Sequence, residues 1–268
     1  MMNRITEKFR SLKSQQRKAL IAFITAGYPN IESTVRLVPA LEKAGADIIE
    51  LGIPFSDPIA DGPTIQDSSY QALRKNLTLK KIWAAVAKIR RISQVPIALM
   101  TYYNPIYHYG EKEFIRQSRL AGADGIIVPD LTLAEANSFR AHARSLGMAT
   151  VFFVSPATPD QRIRRIADAS SGFVYYISLT GVTGARARLP VDLVKKIKTV
   201  KRYSKKPVCV GFGISQPAQV RQIAKIADGV IVGSAIIKEI KRCQSKKDMV
   251  PRVAHFVNGL AQALRSSF

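Results

Sequence analysis

Two carboxylates and three glycine-bearing segments carry most of the chemistry this sequence offers. Glu50 lies in the apolar run Asp47-Ile-Ile-Glu-Leu-Gly-Ile-Pro54. In an extended chain Ile48 and Glu50 share one face while Ile49 and Leu51 share the other. If the run is a buried barrel strand, its helix-facing side takes the aliphatics, so Glu50 points inward. A bare carboxylate among inward-facing aliphatics costs several kcal/mol. It is therefore either paired structurally or kept protonated with a raised pKa, ready for proton transfer. Its place at the C-terminal end of the strand favours proton transfer. Asp57 and Asp61 follow in Gly52-Ile-Pro-Phe-Ser-Asp-Pro-Ile-Ala-Asp-Gly-Pro-Thr-Ile-Gln66, where Pro54, Pro58 and Pro63 restrict the backbone. Such a loop suits a side chain held over a barrel mouth, although Asp-Pro and Asp-Gly also form ordinary turns.

The glycine segments are Gly181-Val-Thr-Gly184, Gly211-Phe-Gly213 and Gly233-Ser234, each placed after a strand-like run. Backbone N–H groups at such turns, and at the helix that Ser234 opens, can hold a phosphate. One such turn is ordinary. Three at adjacent strand ends point to a phosphorylated ligand. His108, His142 and His255 are scattered without metal-ligand spacing, so no metal is expected. Cys209 and Cys243 fit a reducing compartment and inert roles.

Eight short apolar runs must position these groups, beginning near Ile21, Asp47, Pro96, Asp124, Thr150, Gly172, Pro207 and Asp228. Segments of helical period separate them, including residues 33–44, 79–92, 111–121 and 134–146. Strand and helix alternating eight times predict a (β/α)8 TIM barrel, with a doubly wound open sheet as the weaker alternative. The 268 residues fit one catalytic domain spanning 1–268. Helices over residues 5–15 and 250–264 are expected to cap the barrel. The connections after the second and sixth strands are the long ones, and loops at the C-terminal ends of barrel strands carry function.

Composition narrows the class further. With 47% hydrophobic and 22% charged residues the chain is neither disordered nor collagen-like. The polar N-terminus lacks a signal peptide's apolar core, and no apolar stretch is long enough to span a bilayer, so a cytoplasmic protein is expected. Lys and Arg number 41 against 19 Asp and Glu, a net charge of +22. That excess would suit a nucleic-acid or membrane partner. The basic residues, however, are spread through helix-like segments without interleaved stacking aromatics. They read as solvated helix faces, and neither partner is expected.

Glu50 followed by Leu51-Gly-Ile-Pro-Phe-Ser-Asp-Pro-Ile-Ala-Asp-Gly-Pro-Thr-Ile-Gln66 is similar to the signature of the tryptophan synthase alpha subunit family. The likeness runs from Phe23 through Gly181-Val-Thr-Gly184 and Gly211-Phe-Gly-Ile-Ser215 to Gly233-Ser234. The resemblance implies retro-aldol cleavage of indole-3-glycerol phosphate to indole and glyceraldehyde 3-phosphate. It also implies delivery of indole to a beta subunit in an alpha2-beta2 heterotetramer, with pyridoxal phosphate on the partner and no cofactor in this chain. By the same resemblance Glu50 is the acid/base, and Asp61 accepts the indole N–H. Phe23, Ile65, Leu99, Ile127, Phe153 and Tyr175 wall the indole. Thr183, Gly184, Phe212, Gly213, Gly233 and Ser234 complete the substrate site, with Thr183 reaching Asp61 when the site closes. Pro54, Asp57, Pro58 and Asn104 press against the partner. The chain departs from the family pattern at Thr132, where a proline is usual, and at Asp67-Ser-Ser69. A sugar-phosphate isomerase or epimerase, and a barrel that binds ligand only to regulate its partner, are the competing readings.

Overall fold

The computed structural model describes residues 3–177, 191–211, 213–244 and 247–265. Eight strands form a closed, all-parallel barrel in sequence order: β1 (Ala19–Thr25), β2 (Ile48–Gly52), β3 (Ile97–Met100), β4 (Gly125–Ile127), β5 (Ala149–Val154), β6 (Val174–Ile177), β7 (Val208–Gly211) and β8 (Gly229–Val232). β8 pairs back onto β1, with Ala19 opposite Gly229. The expected (β/α)8 barrel is the observed fold. Its strands are aliphatic on both faces because both are covered, one by the lumen and one by the helical layer.

Helices α1 (Arg4–Ser14), α2 (Ile31–Lys43), α3 (Pro63–Leu73), α4 (Leu79–Arg90), α5 (Tyr103–Tyr109) and α6 (Glu111–Ala121) belong to the first half. The second half holds α7 (Asn137–Ser145), α8 (Asp160–Ala169), α9 (Val191–Tyr203), α10 (Pro217–Ala224), α11 (Ser234–Cys243) and α12 (Met249–Arg265). Two of these are additional to the one helix per connection of a simple barrel. α3 occupies the second half of the long connection after β2, started by Pro63 just behind Gly62. α5 follows β3 directly.

Two apolar layers result. The inner one fills the barrel with Ile21, Ile48, Ala98, Ile127, Val151 and Cys209 among others, and is closed from below by Ile5, Phe9 and Leu12 of α1. Those three residues recur at helical spacing on one face, so α1 is a plug, and the Phe9 ring meets Phe173 at 5.9 Å. The C-terminal helix behaves differently from expectation. Val253, Val257, Leu260 and Leu264 of α12 join the outer layer, and the helix packs on α2, α10 and α11. It closes the ring of outer helices rather than capping an end, because its apolar stripe matches the groove beside α2.

The N-terminal end of the barrel is tied by a recurring aspartate. Asp47, Asp124 and Asp228 stand immediately before β2, β4 and β8, and their carboxylates accept the N–H groups of Leu20 (3.0 Å), Ile97 (2.9 Å) and Val208 (3.0 Å) on the preceding strands. Each thereby satisfies a donor that the strand's start leaves unpaired. Asp124 is the most enclosed, held by Arg90 at 2.7 Å and Arg4 at 2.9 Å. Removing one member of a buried charged pair leaves the other uncompensated. Asp124→Ala should therefore lower stability by about 3–5 kcal/mol, read from urea unfolding midpoints. A loss below about 1 kcal/mol, the level of a surface pair, would refute that role.

Candidate active site

β2 carries Glu50 into the upper lumen, opposite Phe23 of β1 and Ala98 of β3. The side chain is 1% exposed, and neither carboxyl oxygen has a hydrogen-bond partner among the described residues. Of the two roles open to it, a structural ion pair is not what surrounds it. Burial, and secondarily the charge of Asp61, push its pKa up to about 8. At neutral pH the empty site therefore holds a carboxylic acid.

Asp61 sits on the loop after β2. Its N–H donates to the Pro58 carbonyl at 3.0 Å, and its carbonyl accepts from Gln66 Nε2 at 2.8 Å. The Tyr102 hydroxyl accepts the Ala60 N–H at 3.0 Å and donates to the Asp61 carboxylate. Burial raises the Asp61 pKa to about 6, and the Tyr102 bond works against that rise. The two carboxyls are thus separated in proton affinity, one protonated and one ionised at pH 7, the pattern of an acid and an electrostatic partner.

An aromatic wall lies beside them. Phe153 and Tyr175 face the lumen with ring centroids 4.8 Å apart. Burial, reinforced by Glu50 and Asp61, holds the Tyr175 hydroxyl protonated. Gly211 makes room for it, since a Cβ there would lie 2.7 Å from the Tyr175 hydroxyl oxygen. Gly52 does the same for Phe23, whose ring would meet a Cβ at 2.6 Å. Ile127 also faces inward. At the rim, Gly233 is the N-cap of α11, Ser234 opens that helix, and Gly213 takes a left-handed φ of +68°. The first-turn N–H groups of α11 suit an anion.

Three expected positions need correction or qualification. Leu99 does not line the lumen: it packs in the outer layer, and Ala98 and Met100 take the inward positions of β3. With only four residues in the strand, the alternation is anchored by its neighbours' register. Ile65 lies on α3 and packs half-buried against the outer layer. Pro54 is buried, so it lies beneath the loop, whereas Asp57, Ile59 and Asn104 are exposed and Pro58 is half-buried. Thr183, Gly184 and Phe212 lie outside the described residues. An open apolar groove of about 910 Å³ runs between the β2 loop and α3, lined by Phe55, Pro58, Ile59, Tyr70 and Leu73. It lies apart from Glu50.

A family model described as tryptophan synthase alpha chain matches residues 9–265. The chain belongs to the tryptophan synthase alpha chain family. It is 48% identical to the tryptophan synthase alpha chain of Geotalea daltonii over 92% of this chain and 93% of that one. The crystal structure of the alpha subunit from Legionella pneumophila superposes with a TM-score of 0.92 at 38% identity, covering 99% of this chain and all of that one. A mutant alpha subunit of Pyrococcus furiosus gives 0.84 at 41% identity over 91% and 98% of the two chains. Membership makes the chain a lyase of tryptophan biosynthesis.

Against the alpha-chain expectations, two residues were missed. Tyr102 and Met100 continue the inward period of β3 from Ala98, a signal present in Ala98-Leu-Met-Thr-Tyr102 once the phase of that strand is known.

The buried acid has a consequence for stability. A carboxyl whose folded pKa exceeds its ordinary value binds more protons folded than unfolded, so stability falls as pH rises from about 4.5 to about 8. Glu50→Gln removes this loss. Its stability relative to the parent should therefore grow across that window and level off above it, measured as thermal midpoints at several pH values. A constant difference would contradict the raised pKa.

Proposed function

We propose that this chain cleaves indole-3-glycerol phosphate to indole and glyceraldehyde 3-phosphate, with Glu50 as the proton-transfer group. The observation that carries the reading is the unpartnered, buried Glu50 carboxyl in the lumen, beside an Asp61 held by Tyr102. Indole C3 must be protonated before its bond to the glycerol carbon can break, and Glu50 starts with the proton. The indole ring then carries positive charge, spread to its nitrogen. Ionised Asp61 accepts that N–H and stabilises the cation. The newly ionised Glu50 takes the proton of the adjacent glycerol hydroxyl. As that oxygen forms the aldehyde carbonyl, the C–C electron pair returns to the ring, releasing neutral indole. Glu50 ends protonated, so one group serves both transfers. Phe23, Ile127, Phe153 and Tyr175, with Met100, flank the planar ring, and the α11 N-terminus with Gly213 receives the phosphate.

We assign the rim of Asp57, Pro58, Ile59 and Asn104, together with the apolar groove beside α3, to contact with a beta chain in an alpha2-beta2 assembly. Pyridoxal phosphate belongs to that partner, which consumes the indole. The chain from 1 to 268 acts as one catalytic unit in the cytoplasm. No helix among the described residues is long and apolar enough to cross a membrane.

Indole release from indole-3-glycerol phosphate, measured with and without the beta chain, tests the reading. Glu50→Gln should lose about 100- to 10,000-fold of the rate. Asp61→Asn should lose a comparable factor in kcat, because an amide can accept the N–H but offsets no charge. Turnover of sugar phosphates instead of the indole substrate would support the isomerase alternative. For the free enzyme, kcat/KM should rise through about pH 6 as Asp61 ionises and fall through about pH 8 as Glu50 loses its proton. A flat profile between pH 5 and 9, each limb missing, would exclude this pair from the chemistry.

A further inference from the structure

The net charge of +22 is not spread evenly over the barrel. Residues 136–206 contain fourteen Lys and Arg against three Asp and no Glu, so about a quarter of the chain holds half of the net charge. The described residues of this stretch lie on one flank, where α7, α8 and α9 cover β5 to β7, and twelve of the fourteen cations are among them. α8 buries Ile163 and Ile166, and α9 buries Leu193, Ile197 and Val200. The cations between those positions are forced outward. Arg162, Arg165, Lys195, Lys198, Lys205 and Lys206 are all exposed, and none forms an ion pair among the described residues. Arg162 with Arg165, and Lys195 with Lys198, are three apart on their helices and so stand side by side, about 5–6 Å between Cβ atoms. α8 packs against α9, which brings the two pairs into one field.

A second feature lies within it. The Tyr203 ring at the end of α9 is flanked by Arg164 at 5.7 Å and Arg202 at 5.0 Å from its centroid. Arg202 also donates one N–H to the Tyr203 hydroxyl at 3.2 Å, and guanidinium groups held against a ring can present their other N–H groups to phosphate oxygens or stack on bases. Arg202 neighbours Tyr203 in the sequence, and the contact of α8 with α9 brings Arg164 to the same ring.

We propose that this flank is a docking surface for the phosphate backbone of nucleic acid, read without base sequence. A solvated helix face explains isolated cations, but not their concentration on two adjacent helices with so few acids. An anionic bilayer is the less suitable occupant. Peripheral membrane helices bury an apolar face, whereas the apolar faces of α8 and α9 are spent on the barrel. The surface is remote from Glu50, so binding here is independent of the proposed cleavage.

The test is binding of the full-length protein to a labelled single-stranded RNA of about 20 nucleotides, followed by anisotropy as salt is varied. Six contacts predict a log–log salt slope near about −4 and a Kd on the order of 10⁻⁵ M at physiological salt. Arg162→Gln/Arg165→Gln/Lys198→Gln should weaken binding about 100-fold and reduce the slope by about 2. Lys195→Gln/Lys205→Gln/Lys206→Gln should do the same, which guards against misfolding of one variant. Arg36→Gln/Lys43→Gln/Lys88→Gln, on exposed positions of α2 and α4, removes as much charge from elsewhere and should change affinity less than about threefold. Indole release should be unchanged in all three. Equal weakening by the α2–α4 variant would reduce the effect to net charge and overturn the proposal. So would absence of RNA binding, or binding to phosphatidylglycerol vesicles in its place.

Discussion

A carboxyl group sealed inside a ring of eight strands cannot remain charged without a partner, and Glu50 has none among the described residues. That single desolvation governs the rest of the upper barrel. It fixes the proton on Glu50 at about pH 8 while leaving Asp61, lower in burial cost and bonded by Tyr102, ionised above about pH 6. The closed parallel sheet is what makes the desolvation possible. An open sheet would leave an edge and a wet crevice, whereas here β8 pairs with β1 and α1 plugs the opposite mouth. The aromatic wall and the strand-end glycines follow from the same need to fill the lumen. Gly52 and Gly211 exist beside Phe23 and Tyr175 because a Cβ at either would strike the ring.

The molecule divides its labour along the barrel axis. At the N-terminal end, Asp47, Asp124 and Asp228 clamp neighbouring strands through backbone donors, and their charges are met by Arg or Lys. At the C-terminal end Glu50 and Asp61 have no cation beside them among the described residues, and burial raises both, so that Glu50 keeps its proton at neutrality and Asp61 titrates near about 6. Identical chemistry is structural at one end and reactive at the other, and the difference lies in whether a cation is supplied.

Much of this was legible in the sequence, and the exceptions have physical causes. The strands could be read because each is a short aliphatic run ended by glycine, proline or aspartate. Glu50 stood out because it is the one charged residue inside the strand Ile48–Gly52, Asp47 standing just before it. The phase of β3 could not be read, since Ile97-Ala-Leu-Met100 is apolar on both faces, and Leu99 was therefore placed inward in error. Tyr102 was hidden by the same ambiguity. α12 looked like a cap because an amphipathic stripe shows that a helix is buried on one side but not against what. The turn Gly-Ala-Asp at 45–47 and 122–124 is a small repeat that becomes visible as a clamp only with the strands in place, its glycines at φ of 105° and 100°. The Tyr203 cluster likewise needs two helices brought together.

The central claim is that burial, with a smaller contribution from the charge of Asp61, keeps Glu50 protonated at neutral pH. Infrared difference spectra between the parent protein and Glu50→Gln isolate the carbonyl stretch of this one protonated carboxyl, and its intensity can be followed against pH. The account predicts a band still present at pH 7 and a midpoint near about 8. A band that disappears with a midpoint near the ordinary 4.5 would contradict it.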